Sequence, residues 1–220
     1  MNYTVQFRLA IRANPRHFHA MSAAGESESP KRRAILTAAG ELFVARGYGS
    51  ISMDAIARAA DVSKATLYAH FESKDRLFAT IVQVACRENI MPEDGLPGGE
   101  IEIEAALRAV GGRILRFFLR PRTLAIYRLV LAESVRFPEL GLAFYENGPA
   151  AGKAMLAVWM ARRSALRLPE PAIAAEQFLG LLRTGLYTRA TLGLVPPPVD
   201  AEIDDVVEAA VRTFLAAYQV

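Results

Sequence analysis

The 220-residue sequence predicts an all-α fold, and three observations support this prediction. Apolar residues recur at i, i+3 or i+4 and i+7 over most of the chain, which is the spacing of one helix face. No segment alternates apolar and polar residues as a half-buried strand does. Clusters of Pro and Gly divide the periodic segments into lengths that are typical of globular helices.

Composition and charge narrow the class of protein. Apolar residues make up 52% and charged residues 22% of the chain, which is typical of a globular protein, and the net charge is only +3. The basic excess lies in residues 1–90, with 12 Lys and Arg against 8 Asp and Glu. No apolar run approaches the roughly 18 residues of a membrane span. We therefore expect no membrane partner. One cysteine cannot form an internal disulfide, so we expect a cytoplasmic protein.

Residues 31–90 predict four helices. The first runs from Lys31 to a C-terminal Gly47, with its apolar face at Ile35, Leu36, Ala39, Leu42 and Phe43. Ser52 is placed to cap a second helix over 53–60, and Ser63 a third over 64–71. A fourth helix begins after Ser73.

Two short helices joined by a tight turn and preceded by a longer helix form the layout of a helix-turn-helix DNA reader. Ala57 is small enough for the helix crossing, and Asp61 tolerates positive φ in the turn, although less well than glycine. Leu67 and Phe71 face inward, so the opposite face of the third helix presents small and polar residues to a major groove.

Residues 31–78 resemble the N-terminal domain of the tetracycline-repressor (TetR) family of transcriptional regulators. The residues that carry the resemblance are Leu42-Phe43, Gly47-Tyr48, Ile56-Ala57, Ala60, Val62-Ser63, Thr66-Leu67-Tyr68, His70-Phe71, Lys74 and Leu77. The rest of the chain agrees with the family in length and helical character. The resemblance therefore implies an N-terminal three-helix helix-turn-helix DNA-binding domain over 31–90 and a C-terminal helical ligand-binding and dimerisation domain over 91–220.

The resemblance also implies which side chains meet double-stranded DNA. Those of the recognition helix are Lys64, Ala65, Thr66, Tyr68 and His70. Ser52 and Lys74 would hold backbone phosphates, which agrees with the positive end of the dipole at a helix N-terminus. Three positions depart from the usual pattern, since Ile51 replaces a frequent threonine, and Asp61 and Ala65 replace frequent glycines. These departures concern the operator sequence more than DNA binding itself.

Residues 1–30 are expected to be a disordered N-terminal extension, because a small-residue and acidic stretch over 22–30 is typical of a linker. Residues 1–20 contain Arg8, Arg12 and Arg16 and no acidic residue. Two interpretations stay open. The segment is either an over-extended translation start, with Met21 as the natural one, or an arm that reaches a DNA minor groove.

Six helices are predicted in the second domain, at about 100–119, 122–136, 139–147, 150–167, 171–194 and 201–219. Helix 171–194 is apolar around much of its circumference, which favours burial on two sides. Together with the last helix it would form an isologous four-helix interface in a homodimer. The residues predicted for that dimer face are Phe178, Leu181, Leu182, Gly185, Val207, Val211 and Phe214. The alternative is that both helices are core of a monomer.

Aromatic residues of the middle helices predict a pocket for a small lipophilic or aromatic effector, which the resemblance also implies. The candidate lining residues are Phe117, Phe118, Tyr127, Trp159 and Phe178. Candidate polar contacts are Arg113, Arg128, Glu133 and Arg183, each of which has a solvated surface as its alternative. Gly111-Gly112 indicates close packing or a bend, and Cys86 is interpreted as an inert core residue.

The sequence lacks the phosphate-binding, zinc-protease, nucleophile-elbow and paired-cysteine motifs of common enzyme classes. We therefore expect no catalytic residue, cofactor or metal, and predict a dimeric, ligand-responsive repressor acting on a pseudo-palindromic operator. The alternatives are a cytosolic all-helical ligand-binding protein or enzyme without DNA binding, and a purely dimeric adaptor.

Overall fold

The computed structural model describes residues 29–90, 96, 102–196 and 198–220, and within them the prediction of an all-α fold is confirmed. The helices are α1 (Pro30–Arg46), α2 (Met53–Ala59), α3 (Lys64–His70), α4 (Lys74–Ile90), α5 (Ile103–Phe118), α6 (Pro121–Glu133), α7 (Pro138–Tyr145), α8 (Ala151–Ala161), α9 (Pro171–Leu182), α10 (Gly185–Thr191) and α11 (Asp200–Tyr218). Apart from an isolated antiparallel bridge between Leu166 and Gln219, this part of the chain has no β-structure. None of its helices combines the length and apolarity needed to cross a bilayer. Of the extension predicted over 1–30, residues 1–28 lie outside the described residues, and Pro30 is the first residue of α1.

The first hydrophobic core contains residues of α1, α2, α3 and α4. Leu67 and Phe71 are buried there as predicted, and Ala57 is buried beside them. The rings of Phe43, Tyr48 and Phe78 form a mutual cluster with centroids 5.3–5.9 Å apart. Burial of these large side chains packs α1, the loop after it and α4 together, and Ile56 and Leu67 attach α2 and α3 to the same core.

The local turn chemistry agrees with the sequence. The Ser52 Oγ accepts a hydrogen bond from the Ala55 N–H, and the Ser63 Oγ accepts one from the Thr66 N–H. Asp61 in the turn between α2 and α3 has φ = +52°, and Gly47 after α1 has φ = +82°. An aspartate is among the few residues other than glycine that adopt this conformation at modest cost.

The helices α6 and α7 extend the first core, because Ile126, Val130 and Leu140 are buried against it. The end of the Arg122 side chain of α6 lies over Gly40 of α1, since a Cβ at this position would lie 2.8 Å from the Arg122 Nη2. Residues 31–220 form one compact unit. The division of the chain at residue 90 stays a prediction.

A second core fills the space between α5, α8, α9 and α11. Phe178 and Phe214 pack edge to face there with centroids 5.2 Å apart. Gly111 allows α5 to cross them closely, because a Cβ would lie 3.2 Å from the Phe178 Cζ and 3.3 Å from the Val207 Cγ1. Of the two alternatives for Gly111, close packing is therefore the one that the structure shows.

Three predicted helix boundaries are wrong. The helix predicted over 150–167 ends at Ala161. The segment 171–194 is not one helix, because α9 ends at Leu182 and Arg183 adopts a non-helical ψ of 51° before α10 begins. Conversely, Gly148-Pro149 does not separate two helices. A π-helical turn, Glu146–Ala150, contains Pro149 and joins α7 to α8. Proline has no N–H to donate, and the wider turn carries the helical backbone past it.

Candidate nucleic-acid interface

The exposed face of α3 carries the predicted recognition residues. Lys64, Ala65, Tyr68 and His70 are exposed, Thr66 is half-buried, and Leu67 between them is fully buried. This face is one side of a seven-residue helix whose other side is anchored in the first core. It can therefore enter a groove without any change in the core.

Two hydrogen-bonded pairs fix side chains on this face. The Lys64 Nζ lies 3.0 Å from the Asp54 Oδ1 of α2, and this hydrogen bond and charge raise the pKa of Lys64. The hydroxyl groups of Ser63 and Thr66 lie 2.8 Å apart, while the Thr66 N–H donates to the Ser63 Oγ. The hydroxyl of Thr66 is thus held at the start of α3.

Ser52 and Lys74 are brought to the same loop, residues 47–52 between α1 and α2, which we name the α1–α2 loop. Ser52 is exposed at its end. The Lys74 Nζ donates to the carbonyl oxygens of Tyr48 at 2.9 Å and Ile51 at 3.1 Å, and it lies 4.2 Å above the Tyr48 ring. Burial lowers the pKa of Lys74, and the charges of Glu133 and Glu139 oppose that effect. The ammonium group therefore braces the loop from the side of α4.

A cleft beside His70 contains basic residues that the sequence analysis did not assign to DNA. Its lining includes Arg32 of α1 and Arg76 of α4, with Glu72 as an acidic member. The Arg32 guanidinium carbon lies 5.4 Å from the centroid of the Phe71 ring. The run Lys31-Arg32-Arg33 was the available signal for a basic surface at this place.

Two of the polar residues considered for the effector pocket have other partners. The Glu133 carboxylate accepts hydrogen bonds from the Tyr48 N–H at 2.8 Å and the Gly49 N–H at 2.9 Å. Arg128 donates to the carbonyl oxygens of Ala190 and Thr191, both at 2.6 Å, at the end of α10. Both assignments to the pocket are therefore corrected, because these side chains bind backbone groups of other elements.

The aromatic candidates do not converge on one place. Phe118 and Tyr127 both contact Tyr187 of α10, with centroids 5.9 and 6.0 Å apart, and Tyr127 also contacts Phe144. We name these four side chains the aromatic cluster. Phe117 adjoins Phe118, whereas Phe178 packs on Phe214 in the second core and Trp159 contacts Arg163. Tyr187 was missed because only the break between α9 and α10 places it there.

The Arg183 guanidinium carbon lies 4.7 Å from the Phe118 ring and 5.9 Å from the Tyr187 ring. Burial is the main cause that raises the pKa of Tyr187. An exposed cation thus covers an aromatic cluster that contains two phenol groups.

The residues predicted for the dimer face need correction. Five of the seven are buried within the chain itself, namely Phe178, Leu182, Val207, Val211 and Phe214. A side chain without accessible surface cannot contribute contact area to a partner. Leu181 is half-buried and Gly185 is exposed, so these two stay available.

Family comparisons agree with this geometry. The family of tetR bacterial regulatory proteins matches residues 35–81, and the C-terminal domain of AefR-like transcriptional repressors matches residues 105–220, more than half of the chain.

Solved structures match over nearly their whole length. A TetR-family transcriptional regulator from Mesorhizobium loti MAFF303099 is 30% identical with a TM-score of 0.74, covering 88% of this chain and 99% of that one. The flavonoid-responsive regulator FrrA is 37% identical with a TM-score of 0.72, covering 86% of this chain and 97% of that one.

Curated relatives match over a shorter part of the chain. The transcriptional activator FasR of Mycolicibacterium smegmatis is 49% identical over 53 residues, which is 24% of either chain. The regulator UidR of Escherichia coli K12 is 45% identical over 53 residues, 24% of this chain and 27% of that protein. The matched segment thus spans about a quarter of these relatives. Since the two family models together cover residues 35–81 and 105–220, the chain belongs to the TetR family of DNA-binding transcriptional regulators.

Proposed function

We propose that this chain is a cytoplasmic repressor that binds a pseudo-palindromic operator as a homodimer and releases it when a small lipophilic or aromatic effector binds. The observation that carries the proposal is the exposed face of α3, held by a buried Leu67 on its opposite side. Helices anchored in this way read base edges in the major groove of DNA.

The roles on DNA differ between residues. Ala65 and Thr66 permit close approach to base edges, and Thr66 offers a hydroxyl and a methyl group for readout. Lys64, Tyr68 and His70 flank them and donate to phosphates, while Ser52 and Lys74 act at the α1–α2 loop. Arg32 and Arg76 beside His70 add positive charge on the same side.

The aromatic cluster and Arg183 support an aromatic effector. Rings at 5.9–6.0 Å offer stacking surfaces, and the phenol groups of Tyr127 and Tyr187 offer hydrogen bonds. The relative FrrA is named as flavonoid-responsive, and flavonoids are planar phenols. We therefore propose that the effector is a planar aromatic compound that contacts Phe118, Tyr127 and Tyr187.

The dimer face is proposed on the exposed sides of α9 and α11. Exposed residues at i, i+4 and i+7 form a strip on each helix: Ile173, Gln177 and Gly180 on α9, and Ala209, Thr213 and Ala216 on α11. The small residues among them, Gly180 and the three on α11, let helices approach closely in an isologous four-helix interface. A dimer sets two α3 helices at the roughly 34–36 Å spacing of successive major grooves.

Fluorescence anisotropy with duplex DNA from upstream of the protein's own gene tests DNA binding. Specific binding that weakens steeply as salt rises is expected, because phosphate contacts displace counterions. Thr66→Ala should change the sequence preference, whereas Lys74→Ala should weaken binding to all duplexes similarly. The alternative of a ligand-binding protein or enzyme without DNA binding predicts no specific complex.

A thermal-shift titration with flavonoids tests the effector, because a ligand of the folded state raises Tm. The same compounds should lower the affinity for the duplex, since an effector must bind the two states differently. Tyr187→Ala should abolish both responses. An adaptor without a ligand would show neither response.

A further inference from the structure

We propose that Glu133 of α6 is a positioning residue for DNA binding, holding the α1–α2 loop by two backbone N–H groups. This inference rests on the proposed function, since it concerns how the same DNA-contacting residues are placed. The carboxylate comes from an element 84 residues further along the chain than Gly49.

The contact is bidentate and charge-assisted. One carboxylate oxygen accepts from the Tyr48 N–H at 2.8 Å and the other from the Gly49 N–H at 2.9 Å. Hydrogen bonds to an ionised acceptor are stronger than neutral ones. Two successive amides bound to one side chain fix the orientation of the peptide between them.

The loop is shaped around this side chain. A Cβ at Gly47 would lie 2.5 Å from the Glu133 Oε1, and Gly47 also has φ = +82°. A Cβ at Gly49 would lie 2.6 Å from the Phe137 Cζ. Glycine at both positions is thus required by the close approach of the α6–α7 region.

Two side chains from different helices hold the loop. The Glu133 carboxylate accepts hydrogen bonds from the N–H groups of Tyr48 and Gly49. The Lys74 Nζ donates hydrogen bonds to the carbonyl oxygens of Tyr48 and Ile51. The next residue, Ser52, caps α2. The position of the first turn of α2, and of the amides that would meet a phosphate, therefore depends on both side chains.

The charge of Glu133 and its proposed positioning role predict opposite effects of Glu133→Gln on DNA affinity. Glu133→Gln removes a negative charge beside the α1–α2 loop, and by Coulomb attraction alone the variant should bind DNA more tightly. If Glu133 positions the loop, binding weakens instead, because a Gln side chain offers one acceptor and sets an N–H₂ group against the second amide. Glu41→Gln on the exposed face of α1 is the matched control, and it should bind as tightly as the wild type or slightly more tightly.

Fluorescence anisotropy on the full chain with the same duplex measures the effect. Glu133→Gln is expected to bind about tenfold more weakly, with a log–log salt slope shallower by about one for each phosphate that the variant no longer neutralises. Ser52→Ala should cost much less in the Glu133→Gln background than in the wild type, whereas the effect of Thr66→Ala should be unchanged. A purely structural role would lower Tm but leave the salt slope and the additivity with Ser52→Ala intact.

Amide hydrogen exchange on the free protein gives a readout that does not require DNA. The Tyr48 and Gly49 amides should exchange slowly in the wild type and at least about tenfold faster in Glu133→Gln. Gly49→Ala, whose Cβ would crowd the Phe137 ring and so displace the loop, should reproduce both phenotypes. Binding by Glu133→Gln equal to or tighter than wild type with an unchanged slope overturns the inference. The wild-type complex and its response to Thr66→Ala test the proposed function separately.

Discussion

Ser63 illustrates how much one hydroxyl contributes at the start of the recognition helix. Its Oγ accepts the Thr66 N–H at 3.0 Å. Ser63→Ala should lower the free energy of unfolding by about 1 kcal/mol, because a helix of seven residues has few other hydrogen bonds at its start. Urea unfolding followed by circular dichroism measures this change.

Ser73 provides the control for Ser63. Its Oγ accepts the Arg76 N–H at 3.4 Å, a longer and weaker hydrogen bond, at the start of a helix of 17 residues. Ser73→Ala should therefore destabilise the protein less than Ser63→Ala. Equal losses for the two variants would contradict the role assigned to the Ser63 cap.

Cys86 is expected to react slowly. Burial raises the pKa of its thiol to about 11, so the folded state holds the proton and little thiolate forms near neutral pH. Iodoacetamide at pH 8.5 should label the folded protein at least about tenfold more slowly than the urea-unfolded chain. The raised pKa also makes the free energy of unfolding depend on pH. The stabilisation from burying the neutral thiol is complete below the unfolded pKa and is lost as pH rises toward 11. Rapid labelling of the folded chain would show that the thiol is accessible.

Single-residue roles were predictable where they depend on neighbours in sequence. Ser52, Ser63, Leu67 and Asp61 act through partners within a few residues, and the structure places each as expected. The role of Glu133 was not predictable in this way, because its partners, the Tyr48 and Gly49 amides, lie in the distant α1–α2 loop. The sequence pattern offered it only as a candidate polar contact of the effector pocket. No spacing rule relates a carboxylate to amides that are more than 80 residues away.

Alanine substitutions at the two adjacent glycines of α5 should have opposite effects on the stability of the protein. A Cβ at Gly111 would crowd Phe178, Val207 and Leu182 at 3.2–3.4 Å, so Gly111→Ala should destabilise the protein by about 1–2 kcal/mol. A Cβ at Gly112 meets only the end of the Arg116 side chain, which is exposed and movable. Gly112→Ala should be neutral or stabilise by up to about 1 kcal/mol, because alanine is the better helix former.

Thermal unfolding of both glycine variants under identical conditions checks the pair. A difference in Tm of several degrees in the stated direction is expected for a chain of this size. The reverse order would mean that α5 does not cross α9 and α11 at Gly111.

Helix existence was predictable and helix continuity was not. Periodicity and caps predicted the first four helices, because those signals are local. The interruption at Arg183 falls in a segment whose apolar residues continue without a break, and the Glu146–Ala150 π turn contains residues that usually end a helix. Both outcomes depend on contacts with other helices, because the π turn packs on α4, where a Cβ at Gly148 would lie 3.2 Å from the Val82 Cγ1, and Arg128 of α6 binds the end of α10. Such contacts compete with local preference and are not encoded in spacing.

At the scale of the molecule, burial in the single chain decides which residues can meet a partner. The sequence pattern marked the most apolar positions of α9 and α11 as the dimer face, but the chain's own core requires those positions. The residues of the outward strip on α11, such as Ala209 and Thr213, are smaller and less apolar than the buried residues of the same helix. A periodicity argument identifies an apolar face and cannot distinguish the inside of one subunit from the contact between two.

Thr213→Arg should convert the dimer to a monomer without unfolding it. Thr213 is exposed on α11, so the new side chain is solvated in one subunit but would be buried on both sides of the proposed two-fold contact. Sedimentation velocity should show the mass of one chain, about 24.0 kDa, with an unchanged circular dichroism spectrum. Operator affinity should fall steeply, because a single α3 reaches only one half-site. Ala154→Arg on the exposed side of α8 makes a comparable small-to-Arg change and should leave both assembly and binding intact. A Thr213→Arg protein that stays dimeric and binds DNA normally would place the interface elsewhere, because like charges facing each other across a two-fold contact oppose its formation.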